Sequence, residues 1–79
     1  MDIQLQTQYE NYFQTFRTEG WKQLIEDMQA IYDAYRIEDI KDSNELAFVK
    51  GERRILSHIL YLEEAIRLNY EALKEGADD

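Results

Sequence analysis

The sequence predicts an all-α protein, and three observations support this class. The chain contains no proline, so no position lacks the backbone donor that a helix interior needs. Its apolar residues recur at intervals of three and four, which places them on one face of a helix. Hydrophobic residues make up 44% of the 79 residues and aromatic residues 13%, more than a charge-rich disordered chain contains. We therefore expect a single folded helical domain.

The first helix is predicted over about residues 2–17. Large apolar side chains recur here at intervals of four, three and four residues, and one further residue widens the face that they form. This spacing is typical of a helix that buries one face. The residues on the face are Leu5, Tyr9, Tyr12, Phe13 and Phe16.

A second helix is predicted over about residues 19–37, after a break near Thr18. The Thr18 hydroxyl can accept a hydrogen bond from the free amides of a new first turn, and Glu19 suits the positive end of the helix dipole. The apolar residues of this segment follow a near-heptad pattern. They are Trp21, Leu24, Met28, Ile31 and Tyr35, with Ile25 and Tyr32 on the flank.

The third and longest helix is predicted over about residues 44–75. Asp42 or Ser43 can cap its start, and Gly76 marks its end. A glycine such as Gly51 costs about 1 kcal/mol relative to alanine in a helix interior, but the apolar pattern continues in phase across it. We therefore expect close packing at Gly51 and no break. The main apolar seam consists of Phe48, Ile55, Ile59, Leu62, Ile66 and Leu73, and its first half is broadened by Val49, Leu56 and Leu60.

Two all-α architectures satisfy these patterns. In one, the first two helices run end to end along the third and form a long antiparallel hairpin with a break near Thr18. In the other, three helices form a compact bundle. The similar lengths of residues 2–37 and 44–75 favour the hairpin. The residues expected to hold it together are Trp21, Leu24, Met28, Ile55, Ile59 and Leu62.

A pair of helices leaves part of each broad apolar face in water, which predicts a partner chain. Domains of this size need support beyond their own core, commonly from disulfides or a metal ion. The chain has no cysteine and one histidine, so we expect a homo-oligomer or a helix-binding protein partner. Aromatic residues on the apolar faces suit such an interface. The predicted interface residues are Leu5, Tyr9, Tyr12, Phe13, Phe16, Tyr32, Tyr35 and Tyr70.

The net charge of −8 is distributed unevenly along the chain. Residues 36–62 contain five basic and five acidic side chains, so the predicted tip of the hairpin is neutral. Residues 1–35 and 63–79 each carry a net charge of −4, with Asp78 and Asp79 expected to form a frayed acidic tail. The open end of the hairpin is therefore predicted to hold all of the excess negative charge.

Three basic residues, Lys50, Arg53 and Arg54, share one face of the third predicted helix. Side chains at these spacings can bind a phosphate or the carboxylates of a partner. The favoured interpretation is that they form solvated ion pairs with Glu52 and with acidic residues of the preceding loop.

The sequence lacks the residue combinations expected at a catalytic, cofactor or metal site. His58 has no carboxylate three or four positions away on its helix, and no glycine-rich phosphate-binding motif occurs. We therefore predict no enzymatic activity, no cofactor, no metal ion and no small-molecule substrate.

The cellular location follows from charge and hydropathy. An excess of carboxylates repels nucleic-acid phosphates, which disfavours DNA and RNA as partners. No apolar run approaches the roughly 18 residues of a membrane span, and the first residues lack the basic flank and apolar stretch of a signal peptide. We expect a cytoplasmic protein that binds neither nucleic acid nor membrane.

Two short motifs give the chain a family resemblance. A Thr-x-Gly-Trp helix start occupies residues 18–21, and an aromatic-x-Lys/Arg-Gly step occupies residues 48–51. With these motifs, residues 5–73 resemble a family of small helical proteins of tailed bacteriophages. That family has no assigned activity or ligand, so the resemblance implies no functional residue. It implies a phage protein made in the bacterial host cytosol, either associated with the virion or directed at a host component.

Two hypotheses for function follow. The first is a non-enzymatic helical protein that acts by protein–protein association, in virion assembly or in binding a host component. The alternative is an acidic inhibitor that mimics nucleic acid and occupies a basic groove on a host enzyme. Salt distinguishes them, because electrostatic mimicry weakens steeply as ionic strength rises and apolar association persists.

Overall fold

The computed structural model describes residues 1–77, which form four α-helices and one short 3-10 helix. This arrangement confirms the all-α class. Asp78 and Asp79, the expected acidic tail, lie outside the described residues. The helices are α1 (Ile3–Phe16), α2 (Glu19–Ala34), α3 (Ser43–Leu60) and α4 (Leu62–Ala77), and the 3-10 helix (Ile37–Asp39) lies between α2 and α3.

Side-chain caps fix the start of three helices. The Asp2 carboxylate accepts from the backbone amide of Leu5 at 2.7 Å at the start of α1. The Thr18 hydroxyl accepts from the Trp21 amide at 3.1 Å at the start of α2, as predicted. Asp42 accepts from the Asn44 amide at 2.9 Å and is the cap of α3. Each cap satisfies one amide that has no partner within its own helix.

The second helix ends three residues earlier than predicted. Tyr35 has an extended backbone (φ −76°, ψ 119°), so α2 stops at Ala34. The chain then makes a 3-10 turn in which the Asp39 amide donates to the Arg36 carbonyl at 3.2 Å. The predicted helix end at residue 37 was wrong, because the turn into α3 begins at Tyr35 and includes residues 35–37.

The third predicted helix is divided at Tyr61, contrary to the expectation of one continuous helix over 44–75. Tyr61 leaves the helical backbone conformation (φ −99°, ψ 6°), and α4 starts at the next residue. Glu63 and Glu64 then lie in the first turn of α4, where negative side chains are stabilised by the helix dipole. Gly51 lies inside α3 without interrupting it, as predicted.

The helices pack in two pairs along an elongated molecule. α1 contacts α4, and α2 contacts α3. The molecule measures 53 × 29 × 16 Å, and its radius of gyration is 17.0 Å. A compact globule of this length has a radius of gyration of about 12 Å. The chain therefore exposes more surface than a globule of equal mass.

The hydrophobic core of the described chain is small. Phe16, Val49 and Ile66 are its buried hydrophobic residues. The prediction that Leu24 and Ile55 hold the helices together is wrong, because both side chains are exposed. The half-buried residues of α2 are two from the main line of the predicted apolar face and the two from its flank, so only one edge of the broad face packs within the chain. They are Trp21, Ile25, Met28 and Tyr32.

Candidate association surface

An aromatic cluster joins α1 to α4. The ring of Tyr70 lies 5.2 Å from that of Tyr9 and 5.1 Å from that of Phe13, the second contact being edge to face. Aromatic pairs at these distances stabilise packing beyond the area that they bury. Gln6 also donates to the Tyr70 hydroxyl at 3.1 Å. Tyr70 is thus the centre of the contact between the two helices.

A second aromatic group surrounds the break between α1 and α2. Phe16, the most deeply buried residue of the core, lies 5.0 Å from the ring of Trp21. Tyr12 stacks on Phe16 at 6.0 Å, and its own ring remains exposed. These contacts fix the direction in which α2 leaves α1.

Most of the predicted interface residues make contacts within the chain. Phe16 is buried, Tyr12 is exposed, and the other six are half-buried. Their contacts within one molecule explain their aromatic and apolar character, and their role toward a partner stays a prediction. The six half-buried residues are Leu5, Tyr9, Phe13, Tyr32, Tyr35 and Tyr70.

An apolar groove of about 560 Å³ runs between α2 and α3 on the outer side of the pair. Phe48 and Ile55 stand at this groove with 65% and 61% of their surface exposed. Glu52 is its one charged lining residue. We call this surface the apolar groove. Its lining residues are Ile31, Tyr35, Ala47, Phe48, Gly51, Glu52, Ile55 and Leu56.

The sequence carried a signal for the apolar groove that the interface prediction missed. Phe48 and Ile55 are seven residues apart, the repeat by which helices pack on one another, and Gly51 lies between them. The predicted seam within the chain includes both residues. The structure instead buries Val49, which points to another side of α3, and leaves Phe48 and Ile55 outside.

A basic patch formed by Lys50, Arg53 and Arg54 lies on the opposite side of α3 from the apolar groove. The Arg53 guanidinium sits 4.4 Å from the centre of the Tyr32 ring, a favourable cation–π distance. Its Nε is buried and has no hydrogen-bond partner among residues 1–77. With Ile37 and Ser57, these residues line a shallow pocket of about 280 Å³.

The expected ion pairs of the basic patch do not form. In residues 1–77, the ion pairs are Lys22–Glu19 at 3.3 Å and Arg67–Glu63 at 2.9 Å. The expectation that Glu52 neutralises the basic patch is therefore wrong, because Glu52 lines the apolar groove on the other side of α3.

The remaining features considered in the sequence are His58, a metal site and a membrane-spanning helix. His58 is an exposed residue in the last turn of α3. The described residues contain no group of three histidine, cysteine or carboxylate side chains arranged to hold a metal ion. Among the same residues, no helix combines the length and apolar character needed to cross a membrane.

Comparison with known proteins adds no functional information. The sequence matches no protein-family model, and neither a curated protein nor a solved structure is significantly similar to it. The resemblance to small helical phage proteins accordingly stays a prediction from the two short motifs. The chain's own surfaces are therefore the basis for a functional proposal.

Proposed function

We propose that this protein acts without catalysis, by packing the apolar groove against a helix of another protein chain. The observation that carries the proposal is the exposure of Phe48 and Ile55 beside a groove that is apolar along most of its length. In line with the phage resemblance, this association would serve virion assembly or the binding of a host component. Monomeric proteins seldom leave a large apolar patch uncovered, and such patches mark interaction sites.

The chemistry of the groove suits a helix better than a small polar ligand. Its polar groups are the Glu52 carboxylate and the Tyr35 hydroxyl, while the remaining lining residues offer methyl, methylene, aromatic or backbone surface. Full burial of a large apolar side chain stabilises by about 1.5–3 kcal/mol. Covering the exposed portions of Phe48 and Ile55 would therefore contribute roughly 2–4 kcal/mol to association.

The proposal is tested with a double variant, Phe48→Ser with Ile55→Ser. Both side chains are mostly exposed, so the variant should keep its helical circular-dichroism spectrum. Tagged wild-type and variant proteins are purified from the cells that make them, and co-purifying chains are identified by mass spectrometry. Each candidate is then measured against the purified protein by calorimetry. We expect binding to the wild type and a large loss of affinity in the double variant.

Leu68→Ser provides the matched control. Leu68 is 63% exposed and lies on α4, away from the residues that line the groove. The control should retain every interaction of the wild type. Equal binding by the double variant and the wild type would show that the apolar groove is not the association surface.

A second candidate function, the acidic mimic of nucleic acid, has support from the exposed carboxylates. Glu10, Glu26, Glu64 and Glu71 are exposed, and none of them is in either ion pair of residues 1–77. Such a protein would bind a basic groove with an affinity that falls steeply between low and high salt. Calorimetric titration of the identified partner at two salt concentrations separates the candidates, since apolar packing changes little with salt.

A further inference from the structure

The contacts within a single chain do not explain why residue 51 is a glycine. It lies in the middle of α3, where glycine is less favourable than alanine. Its backbone φ is not positive, so ordinary residues could adopt its conformation. Apart from its chain neighbours and the backbone of its own helix, a Cβ atom added at Gly51 would meet no atom of the described residues within 4 Å. Neither the backbone nor the packing of one molecule therefore requires a glycine at this position.

The neighbours of Gly51 on its face of α3 provide a reason for a glycine at this position. Phe48 lies three residues before it and Ile55 four residues after it, so all three share one face of α3. Two large exposed side chains thus stand on either side of a position with no side chain. A second helix can approach the α3 backbone closely at this gap while it contacts both neighbours.

The elongated chain as a whole exposes more surface than a compact monomer of its mass. Its accessible surface is 6376 Å². A compact monomer of 9.5 kDa exposes about 5,050 Å², so the chain exposes roughly 1,300 Å² more. A stable protein interface buries about 800 Å² on each partner. The excess of the whole chain is therefore larger than the area that one partner loses in an interface of standard size.

We infer that the apolar groove is occupied by the same groove of a second copy, with the two α3 helices crossing at Gly51. This inference rests on the proposed function and names its partner. A twofold axis uses the same patch on both chains. The patch suits this arrangement because it contains both projections and a gap: the two Gly51 positions face each other, and Phe48 and Ile55 on either side pack against the other α3 helix. The dimer also supplies the apolar contacts that a core of Phe16, Val49 and Ile66 lacks.

Gly51→Ala tests the crossing point. In an isolated chain, the added methyl group meets no atom and favours the helix, so helix content should be retained or increased. In the dimer, the same methyl group holds the two α3 helices apart. We expect the dimer dissociation constant, measured by sedimentation equilibrium on the full chain, to rise roughly tenfold or more.

The matched control is Gly20→Ala, because a Cβ atom at Gly20 also meets nothing within 4 Å and Gly20 lies outside the groove. Gly20→Ala should leave the dissociation constant unchanged. Phe48→Ser provides a second variant in the groove and should also weaken the dimer, with Leu68→Ser as its control.

Three results would overturn the inference. The first is a wild-type chain that stays monomeric at high micromolar concentration. That result would leave the proposed function standing if a different protein binds through Phe48 and Ile55. The second is a Gly51→Ala dimer as tight as the wild-type dimer. The third is an equal loss of dimer in Gly20→Ala, which would place the effect outside the crossing point.

Discussion

Replacing Phe16 with alanine should remove much of the stability of this protein. Phe16 is 5% exposed and packs between Tyr12 and Trp21 where α1 meets α2. Full burial of a phenylalanine side chain stabilises by about 1.5–3 kcal/mol, and the cavity left by its truncation adds to the loss. Measured losses for phenylalanine-to-alanine changes in protein cores are about 3–5 kcal/mol. We expect a loss of that size in the free energy of unfolding.

The expected loss is large relative to the total free energy of unfolding. A domain of 79 residues has a total stability of roughly 4–12 kcal/mol. Phe16→Ala could therefore be partly unfolded without denaturant, so Phe16→Leu is prepared beside it. Leucine keeps an apolar side chain in the site and should give a smaller loss that can be measured fully.

The assay is urea unfolding at a fixed protein concentration. Trp21 is the single tryptophan of the chain and lies 5.0 Å from Phe16, so its fluorescence reports on this site. Far-ultraviolet circular dichroism follows the helices as a whole and provides the second probe. The fixed concentration matters because association would add to the apparent stability.

Leu68→Ala is the control, since that side chain is 63% exposed and its truncation should change stability by less than about 0.5 kcal/mol. If Phe16→Ala lost no more stability than Leu68→Ala, the burial of Phe16 would not contribute to the fold. The assignment of Phe16 to the hydrophobic core would then be incorrect.

Three further changes test local interactions by the same urea assay. Thr18→Ala removes the acceptor of the Trp21 amide and should cost about 1 kcal/mol, whereas Thr18→Asn should retain most of the stability. Arg53→Met keeps the aliphatic packing and removes a buried unpartnered donor, so stability should stay equal or rise by up to about 1 kcal/mol. Arg67→Gln breaks the exposed pair with Glu63 and should cost less than about 0.5 kcal/mol, an effect that disappears at high salt.

Each of these predictions has a clear contrary result. Equal losses in the alanine and asparagine variants of Thr18 would mean that the cap does not stabilise α2. A loss above about 2 kcal/mol in Arg53→Met would show that the cation–π contact with Tyr32 outweighs the unpartnered Nε. A loss in Arg67→Gln that does not depend on salt would point to packing on Phe13, which lies 5.9 Å from the guanidinium.

The sequence was most informative where a single local rule decides the structure. The absence of proline and the spacing of apolar residues indicate helix throughout, and the cap at Thr18 follows from one hydroxyl placed before a helical pattern. The pair between Glu63 and Arg67 follows from their separation of four residues.

The division of helix at Tyr61 could not be predicted in this way. Leu60, Tyr61 and Leu62 have no proline or glycine among them, and the apolar pattern continues across them. Glu63 and Glu64 were the available signal of a new first turn, but paired acids also suit the surface of a continuous helix. Because the local signal is so weak, the position of the break at Tyr61 depends on how the two helix segments pack against other helices.

The position of the apolar groove was missed for a related reason. The pattern shows that Leu24, Ile31, Phe48 and Ile55 belong to broad apolar faces, but periodicity alone does not tell which edge of a face packs within the chain. The described structure buries the Val49 edge of α3 and leaves the Phe48 edge outside. Only the positions of both helices together determine that choice.

The two breaks in the helices have a consequence for how the molecule opens. Phe16 and Trp21 beside the first break share a small pocket with Leu60 and Glu63 beside the second, so both breaks lie at one level. The chain is thereby divided into two helix pairs, α1 with α4 and α2 with α3, that no continuous helix connects. We expect amide hydrogens of the α1–α4 pair to exchange with solvent through openings that leave the α2–α3 pair folded. The surface around Gly51 would then persist while the termini separate.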